Sequence, residues 1–147
     1  MFKDHLHDKV TTENGYQYLF TGKHHGAGGD GDATWHPELP EADEFGVFER
    51  ADVAAMSDED GRLYGLVRDE AGEVRTLGTW QQQVAEFPSS RAGIPWHGYP
   101  IWGVNHDAPS NRRHQRMRPA KSVFQKMCDL GWITPEEKSR LFKGDHV

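Results

Sequence analysis

Aromatic rings have to build the core of this chain, because aliphatic side chains are too few to do it alone. Only 27 of its 147 residues are Leu, Ile, Val or Phe, about 18%, under the rough one-fifth level that flags disorder. Five Trp, four Tyr and seven Phe offset the shortage, since each ring brings a large buried area. A net charge of −6 is also too small to hold the chain open. The expectation is one folded domain over residues 1–147.

Several classes drop out early. No apolar run approaches the roughly 18–20 residues that span a bilayer, and the first eight residues, Met1 to Asp8, lack the apolar stretch of a secretion signal. No membrane partner and a cytoplasmic location are therefore expected. Cys128 is the one cysteine, which rules out an internal disulfide and multi-cysteine zinc sites. It falls on the apolar side of a predicted helix and reads as a small core residue rather than a nucleophile.

The local pattern predicts an α+β fold: a small, mostly antiparallel sheet followed by helices, ending in a C-terminal helical hairpin. Residues 1–15 read as a polar arm. Alternating Tyr16, Tyr18 and Phe20 predict a strand. A loop rich in Gly, His and Pro fills 21–43, long enough to suggest function or disorder. Residues 45–49 read as a strand, with one helical turn from Asp52 to Met56. Segments 62–68 and 73–77 flank Asp69-Glu70-Ala71-Gly72 as a hairpin. Thr79 with Gln82 resembles a capping box, and Trp80, Val84 and Phe87 at helical spacing predict a helix near 79–87, closed by Pro88. Pro95 and Pro100 keep 94–104 extended or turned.

The hairpin over 119–144 carries the strongest local signals. Pro119 suits a first helical position, and Val123, Phe124, Met127 and Leu130 form an apolar stripe closed by Gly131. Thr134-Pro135-Glu136-Glu137 then reads as an N-cap, an N1 proline and a capping box. Leu141 and Phe142 face inward, and Gly144 ends the second helix.

Charge is uneven along the chain. Residues 1–110 hold eight Lys/Arg against nineteen Asp/Glu, a net of −11; residues 111–147 hold nine against four, a net of +5. Arg112, Arg113, Arg116, Arg118 and Lys121 crowd eleven residues that contain no acid. Such density suits phosphate or carboxylate contacts, although docking onto the acidic body of the same chain would also neutralise it. Directly before lies Trp96-His97-Gly98-Tyr99-Pro100-Ile101-Trp102, whose rings either plug the core or stack on a partner. His97 there is positioned by residue type to act as an acid or base near neutral pH. The helix from Pro135 to Lys143 offers no convincing base-reading face.

Other motifs fail on chemistry. Gly26-Ala27-Gly28-Gly29-Asp30-Gly31 spells G-x-G-x-x-G, but Asp30 and Asp32 place negative charge where a pyrophosphate would sit, and Pro37 and Pro40 bar a long helix. An EF-hand from Asp30 to Glu41 puts Trp35 where the sharp turn needs glycine. His5 and His7 form a His-x-His pair, and His24, His25 and His36 follow; these are the candidate ligands for a divalent metal, with solvated surface histidines the simpler account.

Two functions follow. The first is a small binding module without a cofactor, in which Trp96, His97, Tyr99, Trp102, Arg112, Arg113, Arg116, Arg118 and Lys121 contact a polyanion such as nucleic acid or an acidic protein partner. The alternative is a metal-dependent hydrolase, a nuclease among others, built on the clustered histidines. A subunit whose acidic and basic halves pair head-to-tail between copies is a third, structural option.

Overall fold

The centre of the molecule is a packed set of rings. In the computed structural model, which describes residues 4–6, 12, 14–25, 33–91, 93–102 and 117–147, Tyr18, Phe48 and Phe87 are fully buried. Tyr18 meets Phe20, Phe45, Phe48 and Phe87 at centroid distances of 5.1 to 6.2 Å. Phe48 adds contacts to Phe87 at 5.2 Å and Trp96 at 5.6 Å. Tilted and edge-on pairs of this kind match the ring quadrupoles.

The fold is α+β. Strands β1 (His5–Leu6) and β2 (Leu19–Phe20) pair antiparallel, so His5 and Leu6 of the N-terminal arm form an edge strand. A 3-10 turn, Gly22–His24, precedes helix α1 (Glu41–Val53). Strands β3 (Leu63–Gly65), β4 (Val84–Phe87) and β5 (Tyr99–Ile101) form a second antiparallel sheet in that order, with Leu63 opposite Phe87 and Val84 opposite Ile101. Helices α2 (Lys121–Asp129) and α3 (Pro135–Lys143) close the chain. No helix among the described residues is long and apolar enough to cross a membrane.

The three-stranded sheet lies over 63–101, and two local readings change. Residues 45–49 belong to α1, where Glu44, Phe45, Phe48, Ala51 and Asp52 are buried; Phe45 and Val47 alternate as in a strand while Phe45 and Phe48 fit one helical turn, so a run this short fits both periods. Glu41, Asp43 and Glu44 in the first turn favour the helix through its dipole. The segment 79–87 is a turn followed by β4, not a helix. Gln81 takes a left-handed conformation (φ 66°), the Gln82 side chain accepts from the Trp80 N–H, and the Gln82 carbonyl accepts from the N–H groups of Leu77 and Gly78. As the central strand, β4 is buried at every position, which erases the alternation that marks a half-exposed strand.

The turn at 69–72 is present: the Asp69 N–H donates to the Glu73 carbonyl and Arg68 bridges Val74. Its arms do not form the main ladder, however, because β3 pairs with β4. Residues 16–20 run beside Trp96, Leu19 donating to the Trp96 carbonyl and Trp96 to that of Gln17. Pro100 sits on edge strand β5, where a missing N–H does not break an inner ladder.

The C-terminal hairpin follows its sequence signals with two changes. Helix α2 starts at Lys121 behind Ala120, so buried Pro119 lies just outside it, and Leu130 is exposed rather than part of the buried stripe. Thr134 and Glu137 form the reciprocal capping box, and Gly144 ends α3 at φ 89°. The Glu137 carboxylate also takes the Arg68 guanidinium, while Arg50 stacks 4.4 Å from the Trp132 centroid. These two contacts tie the hairpin to the turn at 69–72 and to α1. Cys128 is half-buried against the core.

The close approach of β4 and the chain at Gly98 is a tight point. A Cβ at Gly98 would overlap the Phe87 ring and lie 2.9 Å from the Glu86 carbonyl oxygen. Gly98→Ala is accordingly expected to lower stability by about 2–3 kcal/mol, the usual cost of overpacking a dense core, read as a lower urea midpoint at unchanged slope.

Candidate functional site

The Pro–aromatic segment divides between core and surface. Trp96 and Tyr99 are buried, at 5% and 7% exposure. The Trp35 indole N–H donates to the Gly98 carbonyl beside them at 3.0 Å. Trp102 is half-buried at the start of the hairpin contact, and its indole N–H donates to the Leu141 carbonyl. Gly144 approaches it so closely that a Cβ there would lie 3.1 Å from the ring. That contact and the positive φ together require glycine at this position.

Arg118 extends over this aromatic surface. Its guanidinium lies 3.9 Å from the Phe142 centroid and 5.5 Å from that of Trp102, and it donates to the Phe142 carbonyl at 3.1 Å. Stacking on two rings fixes an otherwise flexible cation, which lowers the entropy lost when it pairs with an anion.

Next to it, α2 and α3 frame a cleft of about 420 Å³ lined by Lys121, Phe124, Pro135, Lys138, Ser139, Phe142 and Lys143. Helical spacing explains the composition. Pro135, Lys138, Ser139 and Phe142 fall at intervals of three and four on α3, so they share a face turned to α2. Phe124 and Phe142 meet edge-on at 6.1 Å. Lys138 is braced by the Gln125 side-chain oxygen at 2.6 Å. No carboxylate lines the cleft among the described residues, so three lysines surround an apolar interior.

Of the basic positions read from the sequence, Arg118 and Lys121 reach this cleft or its edge. Arg112, Arg113 and Arg116 lie outside the described residues. Lys138, Lys143 and the Phe124–Phe142 wall went unread in the sequence. Their signal in the sequence is the three-and-four spacing on α3, which marks one face but does not say that α2 packs against it.

The histidines take separate partners. His5 stacks on Phe20 at 4.9 Å and sits 2.6 Å from Glu41. Buried His24 places Nδ1 2.6 Å from the Ala33 carbonyl, with its ring 4.9 Å from Tyr99 and 6.3 Å from His97. Burial lowers the pKa of His97, with Lys23 adding to that and Asp4 opposing it. His36 accepts from the Glu38 N–H through Nδ1. His7 lies outside the described residues. Among the described residues no three His, Cys, Asp or Glu side chains converge as a metal set would require.

His25 belongs to a buried network on α1. Its Nε2 lies 2.5 Å from Glu44 Oε1, its Nδ1 meets the Thr21 carbonyl, and the Tyr18 hydroxyl donates to Glu44 Oε2 at 2.6 Å. It borders a second cleft, about 340 Å³, walled by Trp35, Leu39 and Pro40 with Glu41 at one side. Both ring nitrogens are engaged within the protein, so His25 presents neither to that cleft.

Comparison of the chain with family models, curated proteins and solved structures finds no match in any of the three.

The His25–Glu44 pair carries a stability prediction. Burial alone would lower the His25 pKa, but the Glu44 hydrogen bond and charge raise it above 6.5. Burial raises the Glu44 pKa above 4.5 by more than the bonds from His25 and Tyr18 lower it. Both groups thus hold protons more tightly folded than unfolded, and stability falls as pH rises. The histidine's share is complete below pH 6.5 and disappears as pH passes its raised folded value; the glutamate's share goes earlier, from 4.5 upward. Glu44→Gln should remove this part of the slope, seen as the difference between variant and parent in urea midpoint from pH 5 to 9. Tyr18→Phe, which leaves a buried carboxylate oxygen one donor short, should cost about 1–3 kcal/mol.

Proposed function

We propose that this protein is a binding module that engages an anionic partner through the cleft between α2 and α3. The observation that carries this is the lining itself: Lys121, Lys138 and Lys143 around Phe124, Pro135 and Phe142, with no acid among them. Arg118 stands at the edge on its aromatic support, and Arg112, Arg113 and Arg116 adjoin it in sequence. The acidic body argues in the same direction: a chain with net charge −6 repels anions at long range, so an anion that binds is drawn to the basic end.

Poly-L-glutamate and a single-stranded oligothymidylate serve as anionic probes. At least one should bind, with log affinity falling linearly against log salt as counterions are released. Reversing three rim charges (Lys121→Glu, Lys138→Glu, Lys143→Glu) should weaken that binding at least about tenfold, since each exposed pair contributes up to about 1 kcal/mol. Binding that ignores both salt and the triple reversal sinks the proposal.

A further inference from the structure

Resting on that reading, we infer that the occupant of the α2–α3 cleft is an acidic protein segment that inserts an apolar side chain, and not a nucleic acid. Two sets of observations lead there. The first concerns the rings. Single-stranded nucleic acid is gripped by stacking bases on open aromatic faces, and the rings near the basic run are already committed. Trp96 and Tyr99 are buried. Trp102 has Gly144 against it and its N–H bound to the Leu141 carbonyl. Phe142 carries Arg118 over its face and meets Phe124 edge-on.

The second concerns shape and charge together. The cleft has room for a large aliphatic or aromatic side chain, and exposed Pro135 and half-buried Phe142 give it apolar walls above fully buried Phe124. A phosphodiester backbone would satisfy the lysines and leave those walls wet. A segment with an apolar anchor flanked by Asp or Glu satisfies both: the anchor removes the walls from water, and its carboxylates meet Lys121, Lys138 and Lys143. This is the mode by which amphipathic helices dock into grooves, with anchors spaced one helical turn apart. Arg118, stacked on Phe142, adds to the positive charge near the lysines.

The test uses the full chain, labelled with nitrogen-15 and titrated by NMR. One probe is a synthetic helical peptide rich in Glu with Leu at i, i+4 and i+7. The second replaces those Leu with Ala, and the third is an oligothymidylate of matched charge. The Leu peptide should perturb amides of 121–124 and 138–143 and bind about tenfold or more tightly than the Ala peptide, as loss of a buried apolar anchor implies. Ser139→Trp, which plugs the cleft from an exposed position without changing charge, should abolish the difference between the two peptides. Equal affinity of the Leu and Ala peptides for the unmodified chain overturns the inference, as does tighter binding of the oligothymidylate; in either case the anion-binding reading stands. Failure of all three probes to bind ends both.

Discussion

Tyrosine hydroxyls held by buried glutamates organise this structure. A core filled with tyrosine brings polar groups inside, and each one needs a partner there. Glu44 on α1 accepts from Tyr18, and Glu86 on β4 accepts from Tyr99 at 2.7 Å and lies 3.2 Å from the Tyr64 hydroxyl, which Asp58 also accepts at 2.9 Å. Each glutamate is 1% exposed. Arg62 lies 3.7 Å from Glu86, and His25 meets Glu44, so each carboxylate has a basic group nearby. The first network fastens the residues either side of β2, Tyr18 and His25, to α1, and the second ties together the three strands of the central sheet. Removing a donor from either leaves a carboxylate oxygen buried short of a partner, which is why the ring packing and the polar networks stand or fall together.

That core positions the C-terminal surface. Trp102 leaves edge strand β5 and hydrogen-bonds the end of α3, while Arg50 and Arg68 hold the other side of the hairpin through Trp132 and Glu137. The two helices therefore sit on the body at several points. Rigid support of this sort favours binding, because less conformational freedom is lost when a partner docks.

The legibility of the sequence varied with the range of the interaction involved. The α2–α3 hairpin was readable almost to the residue, since Thr134, Pro135, Glu137 and Gly144 act on backbone groups within one turn of themselves. The turn at Asp69–Gly72 was readable for the same reason. The chain at 79–87 was misread because Trp80, Val84 and Phe87 have helical spacing while β4 is buried on both faces. What decides between them is contact with β3 and β5, residues distant in sequence. The run at 45–49 is ambiguous likewise, since Phe45 and Val47 alternate as in a strand while Phe45 and Phe48 fit a helical turn. Of the cleft, Arg118 and Lys121 were legible from charge density; Lys138, Lys143 and the Phe124–Phe142 wall depend on two helices meeting and were not.

The shortage of aliphatic side chains determined by itself that rings must fill the core, since only they supply enough apolar area per residue. The separation of charge along the chain likewise placed the basic excess after residue 110. Only the tertiary structure decided which rings were spent: Trp96 and Tyr99 on the core, Trp102 and Phe142 on the hairpin and Arg118. Burial is a property of neighbours brought together from distant parts of the chain, and no local pattern of aromatic residues distinguishes a ring that packs inward from one that stays open to a partner.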